Sequence, residues 1–455
     1  MTEPSAVPTD MPLRRSGVRG WLTMAIYQPL FLLALLCYAP VMLWRVATSR
    51  AYRRSMRERL GFVPVRKGTE EAIWIHGVSV GEIKAAANFI HLLRRRRPDL
   101  RIVVSSTTPN GHLVARQQYP DLPVIFYPLD IGRSPSRALK RIRPRCVLLM
   151  ELEIWPNFLA AARRLDVPVA VINGRISERT LKGYRLARGL LPQLDLIASY
   201  CVQDGMYRQR LLDLGVDPRR ILVTGNMKYD SVVMGGHEQA AATLRPWLAS
   251  GGEIVLVAGS THADEEQFVL QTVAELAPNL PGPLRLVLVP RHPERSPGVC
   301  EQVVAAGFVA VRWSEVGAAP SLPTLARNAV VVVDTIGQLQ RFYSACDVAF
   351  VGGSLIPHGG QNMLEPAAQQ KATIFGPNTA NFRQDVELLR AAEAVVQVPG
   401  REAFAAALRE LLVDADLRAR LGARAAEVIR RNQGATERTL DLVAGLFGEA
   451  RALHR

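Results

Sequence analysis

The sequence lacks the cysteine patterns that build metal centres and disulfide frameworks. Its five cysteines are odd in number and widely scattered, and no two of them form a CxxC pair: Cys37, Cys146, Cys201, Cys300 and Cys346. This usage indicates a reducing compartment. His262, His292 and the acidic residues 264–266 are possible metal ligands, but no HExxH motif organises them. We therefore expect no obligatory metal ion and no other cofactor.

Acidic residues are fewer than basic ones. The chain has 56 Lys and Arg against 41 Asp and Glu, which gives a formal net charge of +15. A basic surface points to nucleic acid, to anionic lipid or to an anionic substrate as the partner. The sequence has no zinc-finger spacing, RNP-like aromatic stretch or basic-region heptads, so nucleic acid is not expected as a partner.

Charge is entirely absent between Arg19 and Arg45. At ~1.5 Å per residue this apolar interval is long enough for a helix that crosses a bilayer, although its two prolines leave open a helix lying flat at the interface. The segment 45–59 that follows is densely basic. By the positive-inside rule it predicts a cytoplasmic position against anionic lipid headgroups; the alternative is a solvated run of charge.

From residue 70 onward, short apolar runs alternate with longer amphipathic ones, which is the pattern of βαβ units in a mostly parallel sheet. The predicted strands are 72–78, 102–106, 124–127, 147–150, 169–172, 197–202, 221–223, 254–258, 284–289, 330–333, 348–351 and 372–375. A polar interval at 230–242 breaks the series. The fold class is therefore α/β with two Rossmann-like halves, and the predicted division is an anchor at 1–60 and domains at 61–235 and 236–455.

Polar residues follow several strands of the first half, at the strand ends where open α/β sheets bind ligands. Glu82 comes after the first strand, where a carboxylate is either a general base or a charge satisfied by the helix dipole. Glu151 and Glu153 follow the fourth strand, and Glu151 is nearer the strand tip. Lys228 follows the last strand, either to neutralise an anion or as an ordinary surface lysine.

The second half contains a glycine-rich stretch, 348–366, in which an apolar strand runs into Gly352, Gly353, Gly359 and Gly360 before a helix opens near Asn362. Such a turn brings backbone close to a ligand, and the first N–H groups of a helix favour an anion. The alternative is an ordinary glycine-rich loop. Three other strands of this half also end in polar turns, and Arg291 in one of them has the planar fork that suits a phosphate.

Nine ordered motifs run over nearly the whole chain: HGVSVGE, MELEIWPN, NGRIS, GNMKYD, GSTH, VPRHPER, DTIGQL, FVGGSL and GGQNMLEP. Together they resemble the 3-deoxy-D-manno-octulosonic acid (Kdo) transferases of lipopolysaccharide biosynthesis, which have the GT-B fold with two Rossmann-like domains facing a cleft. The resemblance implies an enzyme that transfers Kdo from CMP-Kdo to a lipid A precursor, lipid IVA. It also implies a site at the cytoplasmic face of the bacterial inner membrane, with an N-terminal membrane helix.

The resemblance assigns roles by motif. Glu82 is the expected proton acceptor, while Glu151 and Lys228 are expected to stabilise the transition state. The expected donor site comprises Ser260, Thr261, Pro290, Arg291, Ile336, Gly337, Gln338, Gly360, Asn362, Met363, Leu364 and Glu365. Displacement at the anomeric carbon with Glu82 on the opposite face predicts inversion.

The chain departs from the family pattern at three positions. Gln338 stands where GEL is common, and Gln361 and Met363 replace the histidine and proline of GGHNPLE. Backbone contacts survive such changes, but a side-chain role for the two glutamines does not follow from the resemblance. Two alternatives stay open: a GT-B transferase or epimerase that uses another nucleotide sugar, and a membrane-anchored module that binds a nucleotide without catalysis.

Overall fold

The computed structural model describes residues 27–29, 32, 33, 36, 37, 39–41, 44, 47–68, 71–187, 192–319 and 321–447. These residues fall into two compact units. The first unit takes the described part of Met1–Ser231 together with that of Gln433–Arg455, and the second unit is Val232–Asn432. The sequence assigned 433–455 to the second domain, whereas by its contacts the described part of this segment lies with the first.

The first unit is built on a seven-stranded parallel sheet with the strand order β3-β2-β1-β4-β5-β6-β7. Its strands are β1 (Ala72–Gly77), β2 (Arg101–Ser106), β3 (Val124–Phe126), β4 (Pro144–Met150), β5 (Val169–Gly174), β6 (Ser199–Val202) and β7 (Ile221–Val223). Its helices are α1 (Arg50–Arg59), α2 (Val80–Ala85), α3 (Ala87–Arg96), α4 (Pro109–Gln118), α5 (Ser134–Ile142), α6 (Pro156–Arg164), α7 (Glu178–Ala187) and α8 (Gly205–Asp213).

The central strands of this sheet are buried on both faces, which is why they are near-continuous apolar runs. All six residues of β1 are buried, and so are all six of β5. One face packs around Trp74 and Phe158, whose rings meet edge to face with centroids 5.3 Å apart. The opposite face packs around Phe89 and Leu93 of α3. The sheet therefore holds its strand ends on a rigid core.

Helix α1 carries the basic segment predicted after the membrane helix. Ser49 caps it by accepting a hydrogen bond from the Tyr52 N–H. At its other end Glu58 accepts from the Phe126 N–H at 3.0 Å, and the Arg59 guanidinium lies over the Phe126 ring at 4.6 Å. The helix is thus fastened to β3 by its last turn.

The predicted membrane helix between Arg19 and Arg45 lies largely outside the described residues. Among the residues that are described, no helix is both long enough and apolar enough to cross a bilayer. Several apolar side chains described in this interval are exposed, namely Leu32, Leu33, Leu36, Val41 and Trp44.

A last helix, Ala435–Ala444, returns to the first unit and packs against α3. Asp230 caps it, because its two carboxylate oxygens accept from the N–H groups of Gly434 and Thr436, both at 2.6 Å. Farther along, Val443 and Phe447 are buried in the same core as Phe89. The first unit is therefore assembled from two separate stretches of chain.

The second unit is built on another seven-stranded parallel sheet, with the order β10-β11-β9-β8-β12-β13-β14. Its strands are β8 (Ile254–Thr261), β9 (Leu284–Pro290), β10 (Val309–Arg312), β11 (Ala329–Val332), β12 (Val348–Val351), β13 (Ala372–Phe375) and β14 (Val396–Gln397). Its helices are α9 (Glu238–Leu248), α10 (Glu265–Leu276), α11 (Ser296–Ala305), α12 (Trp313–Val316), α13 (Leu339–Ala345), α14 (Leu364–Ala368), α15 (Arg383–Ala391), α16 (Arg401–Val413) and α17 (Ala415–Asn432). The returning helix of the first unit, Ala435–Ala444, is α18.

All twelve predicted strands are present, with bounds that differ by a few residues at most. The sequence missed β10 and β14, the two outermost strands of the second sheet. No residue of either strand is buried, so neither shows the apolar run by which inner strands are recognised. The amphipathic stretch 82–96, which the sequence predicts as one helix between the first two strands, is divided at Ala86 into α2 and α3.

Candidate active site

In the first unit, the turn from β1 to α2 is held by a capping box. Ser79 is the N-cap of α2, and its hydroxyl donates to Glu82 Oε1 at 2.8 Å. The Val78 N–H donates to Glu82 Oε2, also at 2.8 Å. The Glu82 side chain is therefore fixed, and it is buried. A carboxylate has about four lone-pair sites, so each oxygen keeps one for a further donor.

The histidine of the same motif, His76, has a structural position. It is fully buried, its ring stacks on Tyr127 with centroids 3.8 Å apart, and its Nδ1 lies 2.9 Å from Ser105 Oγ. Burial lowers the pKa of His76 to about 3, so the ring is neutral at physiological pH. His76 thus packs the base of the turn that carries Glu82.

Two more glutamates interact electrostatically with Glu82. Glu151 follows β4 in the left-handed region, with φ of 58°, and its carboxylate pairs with Arg175 Nε at 2.7 Å. Burial raises the pKa of Glu151, the charge of Arg175 opposes this rise, and the charge of Glu82 adds to it. Burial raises the pKa of Glu153 to about 7, with the charges of Glu82 and Glu151 adding to the rise.

The chain leaves the extended conformation at Glu151, which takes a positive φ. The charge of Glu82 acts on both Glu151 and Glu153. Glu153 and Arg175 are thus additions to the predicted set. Both residues stand within the sequence motifs, but the motifs do not reveal that the φ of Glu151 is positive.

Lys228 lies on a 3-10 turn, Met227–Ser231, that packs against α2. Asn173, at the end of β5, orients this turn by accepting from the Met227 N–H at 3.0 Å. From α3, Asn88 donates to the Asp230 carbonyl at 2.6 Å. The structure therefore places the turn that carries Lys228 against the helix that carries Glu82, at the carboxyl edge of one sheet.

In the second unit, the glycine-rich turn after β12 surrounds a protein carboxylate. Glu265, in the first turn of α10, is fully buried. Its Oε2 accepts from the N–H groups of Gly353 and His262 at 2.7 and 3.1 Å, and its Oε1 accepts from those of Ser354 and Leu355 at 3.1 and 3.0 Å. These amides were expected to be free for a phosphate, but Glu265 already occupies them.

Glycine is required at two positions around this turn. A Cβ on Gly352 would lie 2.5 Å from the Ser260 carbonyl oxygen, and one on Gly360, where φ is 79°, would lie 3.1 Å from the Asn378 carbonyl oxygen. The backbone of the loop therefore packs closely on the end of β8. The close approach at these glycines is thus to the protein's own backbone, and the approach to a ligand stays a prediction.

Arg291, Asn362 and Glu365 form the polar group of the predicted donor site. The Asn362 amide donates to Glu365 Oε1 at 3.0 Å, and its oxygen accepts from the Leu364 N–H. Burial raises the pKa of Glu365, while the Asn362 hydrogen bond and the charge of Arg291 lower it. Arg291 is exposed, and its guanidinium makes no hydrogen bond or ion pair to the described part of the chain.

The other predicted donor-site residues differ in what they present. Ile336 is 87% exposed, Gly337 has φ of 84°, and Gln338 accepts from Arg341 Nη1 at 2.6 Å. Met363 and Leu364 are buried, backbone included, and the Leu364 N–H is already donated to Asn362 Oδ1. The remaining members are Ser260 with φ of 54°, the buried Thr261, and Pro290 at the end of β9.

No group of three or more histidine, cysteine, aspartate or glutamate residues within the described ranges has the geometry to hold a metal ion.

Comparison with known proteins identifies relatives over most of the chain. A family model described as 3-Deoxy-D-manno-octulosonic-acid transferase (kdotransferase) matches residues 54–231. The 3-deoxy-D-manno-octulosonic acid transferase of Haemophilus influenzae is 33% identical over 427 residues, which cover 92% of this chain and 96% of that protein. The enzyme of the same name from Bordetella pertussis is 33% identical over 446 residues, covering 92% and 99%.

Among solved structures, UDP-GlcNAc 2-epimerase from Neisseria meningitidis aligns with a TM-score of 0.54 at 13% identity. The alignment covers 82% of this chain and 100% of the epimerase. At this identity the likeness concerns the fold alone, and it agrees with two parallel-sheet α/β domains of the GT-B kind.

Proposed function

Because the chain belongs to the 3-deoxy-D-manno-octulosonic acid transferase family, we propose that it transfers Kdo from CMP-Kdo to a lipid A precursor, lipid IVA. The observation that carries this proposal is the 33% identity to a Kdo transferase over 92% of the chain. The reaction joins the anomeric carbon of Kdo to an acceptor hydroxyl and releases CMP, and the hydroxyl proton must be taken up by the enzyme.

Glu82 is the proposed general base. The capping box fixes its carboxylate, and the lone-pair site left on each oxygen is available to an acceptor hydroxyl. Attack from the face opposite to the departing CMP gives inversion at the anomeric carbon. In this scheme Glu151 with Arg175, and Lys228, supply charges that steady the oxocarbenium-like transition state and the anions around it.

The donor nucleotide is proposed to bind in the second unit. Arg291 has an unused guanidinium fork there, and such a fork binds a phosphate through two parallel hydrogen bonds. The Glu365 carboxylate accepts hydrogen bonds, so it suits the ribose hydroxyls. Because the leaving group carries a single phosphate, the positive charge of Arg291 is proposed to neutralise it without an obligatory metal.

The proposed location is the cytoplasmic face of the bacterial inner membrane, on anionic lipid. Its support is the uncharged interval before Arg45, the exposed apolar side chains described within it, and the exposed Arg53, Arg54 and Arg57 of α1. A cluster of basic residues next to an apolar anchor gains about 1 kcal/mol per Lys or Arg near an anionic surface.

The experiment that tests the function is incubation of the full chain in detergent with CMP-Kdo and lipid IVA. Mass spectrometry of the lipid is expected to show added Kdo units, and an equal amount of CMP is expected in solution. A parallel reaction with UDP-sugars tests the alternative that the chain is a GT-B enzyme that uses another nucleotide sugar. Release of UDP, or binding of CMP-Kdo without any lipid product, would contradict the proposal.

The base is tested with Glu82→Gln. Glutamine at this position preserves a capping box, so α2 is expected to remain folded, yet an amide does not accept the proton. Turnover is expected to fall by about 10²- to 10⁴-fold with CMP affinity unchanged. Glu82→Ala removes the cap as well and is expected to lose stability besides activity. Near-wild-type transfer by Glu82→Gln would refute the assignment of Glu82.

A further inference from the structure

Three histidines from different loops of the second unit meet beside the glycine-rich turn. His262 follows β8, His292 follows β9, and His358 lies within the turn after β12. The ring centroid of His262 is 4.1 Å from that of His358 and 5.9 Å from that of His292. The family resemblance assigned no role to these rings. They form what we term the histidine cluster.

The histidine cluster is anchored at His262 and open at its other members. His262 is 9% exposed, and its backbone N–H is held by Glu265. His358 is exposed, and the His292 side chain is 53% exposed. The cluster therefore consists of one buried ring, that of His262, and two rings that are accessible to a solute, those of His292 and His358.

The charges around the cluster are predominantly positive. Burial lowers the pKa of His262 to about 4, and the charges of His358, His292, Arg295 and Arg291 lower it further, in that order. The nearby acids are largely committed elsewhere. Glu265 accepts four backbone N–H groups, Glu266 forms a two-fold pair with Arg295 at 2.9 and 3.2 Å, and Glu294 lies 3.5 Å from His292 at the exposed rim.

This setting favours an anion over a cation. Arg291 acts electrostatically on His262, and its positive charge opposes a metal ion; no metal-binding group is found among the described residues. An anion placed between the rings and Arg291 would instead draw protons onto the histidines, because an opposite charge within a few ångströms favours the charged form.

Arg291 also connects the cluster to the proposed nucleotide site. Its charge lowers the pKa of His262 on one side and that of Glu365 on the other. In CMP-Kdo the phosphate and the sugar's carboxylate are both attached to the anomeric carbon, so the donor brings two anions that lie close together. The charge of Arg291, which acts on both polar groups, suits a ligand of this kind.

We propose that His262, His292, His358 and Arg291 form an anion subsite of the donor site, which binds the phosphate or the carboxylate of a CMP-linked sugar acid and takes up a proton when it does so. This proposal rests on the proposed function. The shared chemistry is an oxyanion held by charge-assisted N–H donors.

Gln361 allows the cluster to change its protonation state. Its side-chain amide lies 3.1 Å from His262 Nε2. A glutamine amide donates to a neutral ring through its NH2 and accepts from a protonated ring through its oxygen after a flip. The glutamine that departs from the family pattern therefore satisfies His262 both before and after the anion binds.

The test measures the affinity for a series of three ligands, cytidine, CMP and CMP-Kdo, by titration calorimetry without acceptor. The variants are His292→Gln, His358→Gln and the double variant, and His91→Gln, at an exposed position of α3 in the first unit, is the control. Loss of one charge-assisted hydrogen bond corresponds to about a tenfold loss of affinity. We expect such losses for the anionic ligands and none for cytidine or for the control variant.

The ligand series distinguishes binding of the phosphate from binding of the carboxylate. Equal weakening of CMP and CMP-Kdo in the double variant assigns the phosphate to the cluster, and weakening of CMP-Kdo alone assigns the carboxylate. Proton uptake is measured by repeating the titrations at pH 7 in buffers of different ionisation enthalpy. CMP-Kdo is the ligand for this comparison, because the phosphate of free CMP itself titrates near pH 6. Uptake by the wild type is expected to disappear in the double variant.

Two failures have different signatures. If the wild type transfers Kdo but the double variant binds all three ligands normally with unchanged proton uptake, the subsite is overturned and the proposed function stands. If the wild type neither binds CMP-Kdo nor releases CMP in the transfer assay, the function and the subsite are both overturned. Thermal unfolding of each variant checks that the exposed substitutions leave the fold intact.

Discussion

Glu265→Gln is expected to destabilise the second unit although it changes one atom and removes a buried charge. The wild-type carboxylate accepts four backbone N–H groups, two on each oxygen. A glutamine presents one oxygen and one NH2 group, so it satisfies one pair of N–H groups and faces the other pair with more donors. In a fully buried position no water replaces the missing acceptor.

The expected cost follows from the two unsatisfied groups. A buried N–H that loses its acceptor costs about 1–3 kcal/mol, so two of them cost about 2–6 kcal/mol. With a urea dependence of about 1–3 kcal/mol per molar, the unfolding midpoint is expected to fall by about 2 M at the middle of both ranges. The turn after β12 carries Gly360 and leads to Asn362, so the affinity for CMP is expected to fall as well.

The assay is urea unfolding of the full chain followed by tryptophan fluorescence, with CMP affinity measured in parallel. Glu301→Gln is the matched control, because Glu301 is exposed on α11 of the same unit. It is expected to unfold as the wild type does. If Glu265→Gln unfolds within about 0.5 kcal/mol of the control, the amides do not depend on the carboxylate and the reasoning is wrong.

Two further predictions concern the first unit. The pKa of Glu153 is raised from 4.5 to about 7 in the folded chain, so its stabilising contribution is complete below pH 4.5 and is lost as the pH rises through 7. Glu153→Gln is therefore expected to raise the thermal midpoint at pH 8 and to leave it unchanged at pH 4, and an equal shift at both pH values would contradict this. Asp230→Asn removes one of two acceptors at the start of α18, at a cost of about 0.5–2 kcal/mol, and hydrogen exchange across Ala435–Ala444 is expected to accelerate by about 2- to 30-fold. Asp416→Asn, at an exposed position in the first turn of α17, is its control, and equal exchange in the two variants would show that Asp230 does not hold the helix.

The inner strands were predictable because burial on both faces forces an apolar run, and β1, β5 and β12 are buried at every position. The outer strands β10 and β14 were not, since no residue of either strand is buried. The apolar pattern of a sequence reflects which residues are buried, and not which backbone groups are hydrogen-bonded. A strand recruited at the edge by its backbone alone therefore leaves little trace in the residue pattern.

Part of the site was predictable because parallel strands end at one edge, which placed Glu82 and Lys228 on neighbouring elements. Other features depend on geometry that residue letters do not carry. The positive φ of Glu151 is one of them. Glu265 and Leu355, whose contact closes the glycine-rich turn, are 90 positions apart in the chain. A glycine pattern predicts that backbone approaches an acceptor, but it does not say whether that acceptor belongs to a ligand or to the protein.

The return of α18 to the first unit has a consequence for the order in which the chain is completed during synthesis. The second unit is one continuous stretch, so all of it has left the ribosome once Asn432 emerges. The first unit begins earlier in the chain, but it is complete only when α18 is present. Asp230 then caps that helix, and Val443 and Phe447 pack in the same core as Phe89. The half of the molecule that carries Glu82 is therefore begun first and completed last, and a chain shortened to end at Asn432 would contain a complete second unit and an incomplete first one.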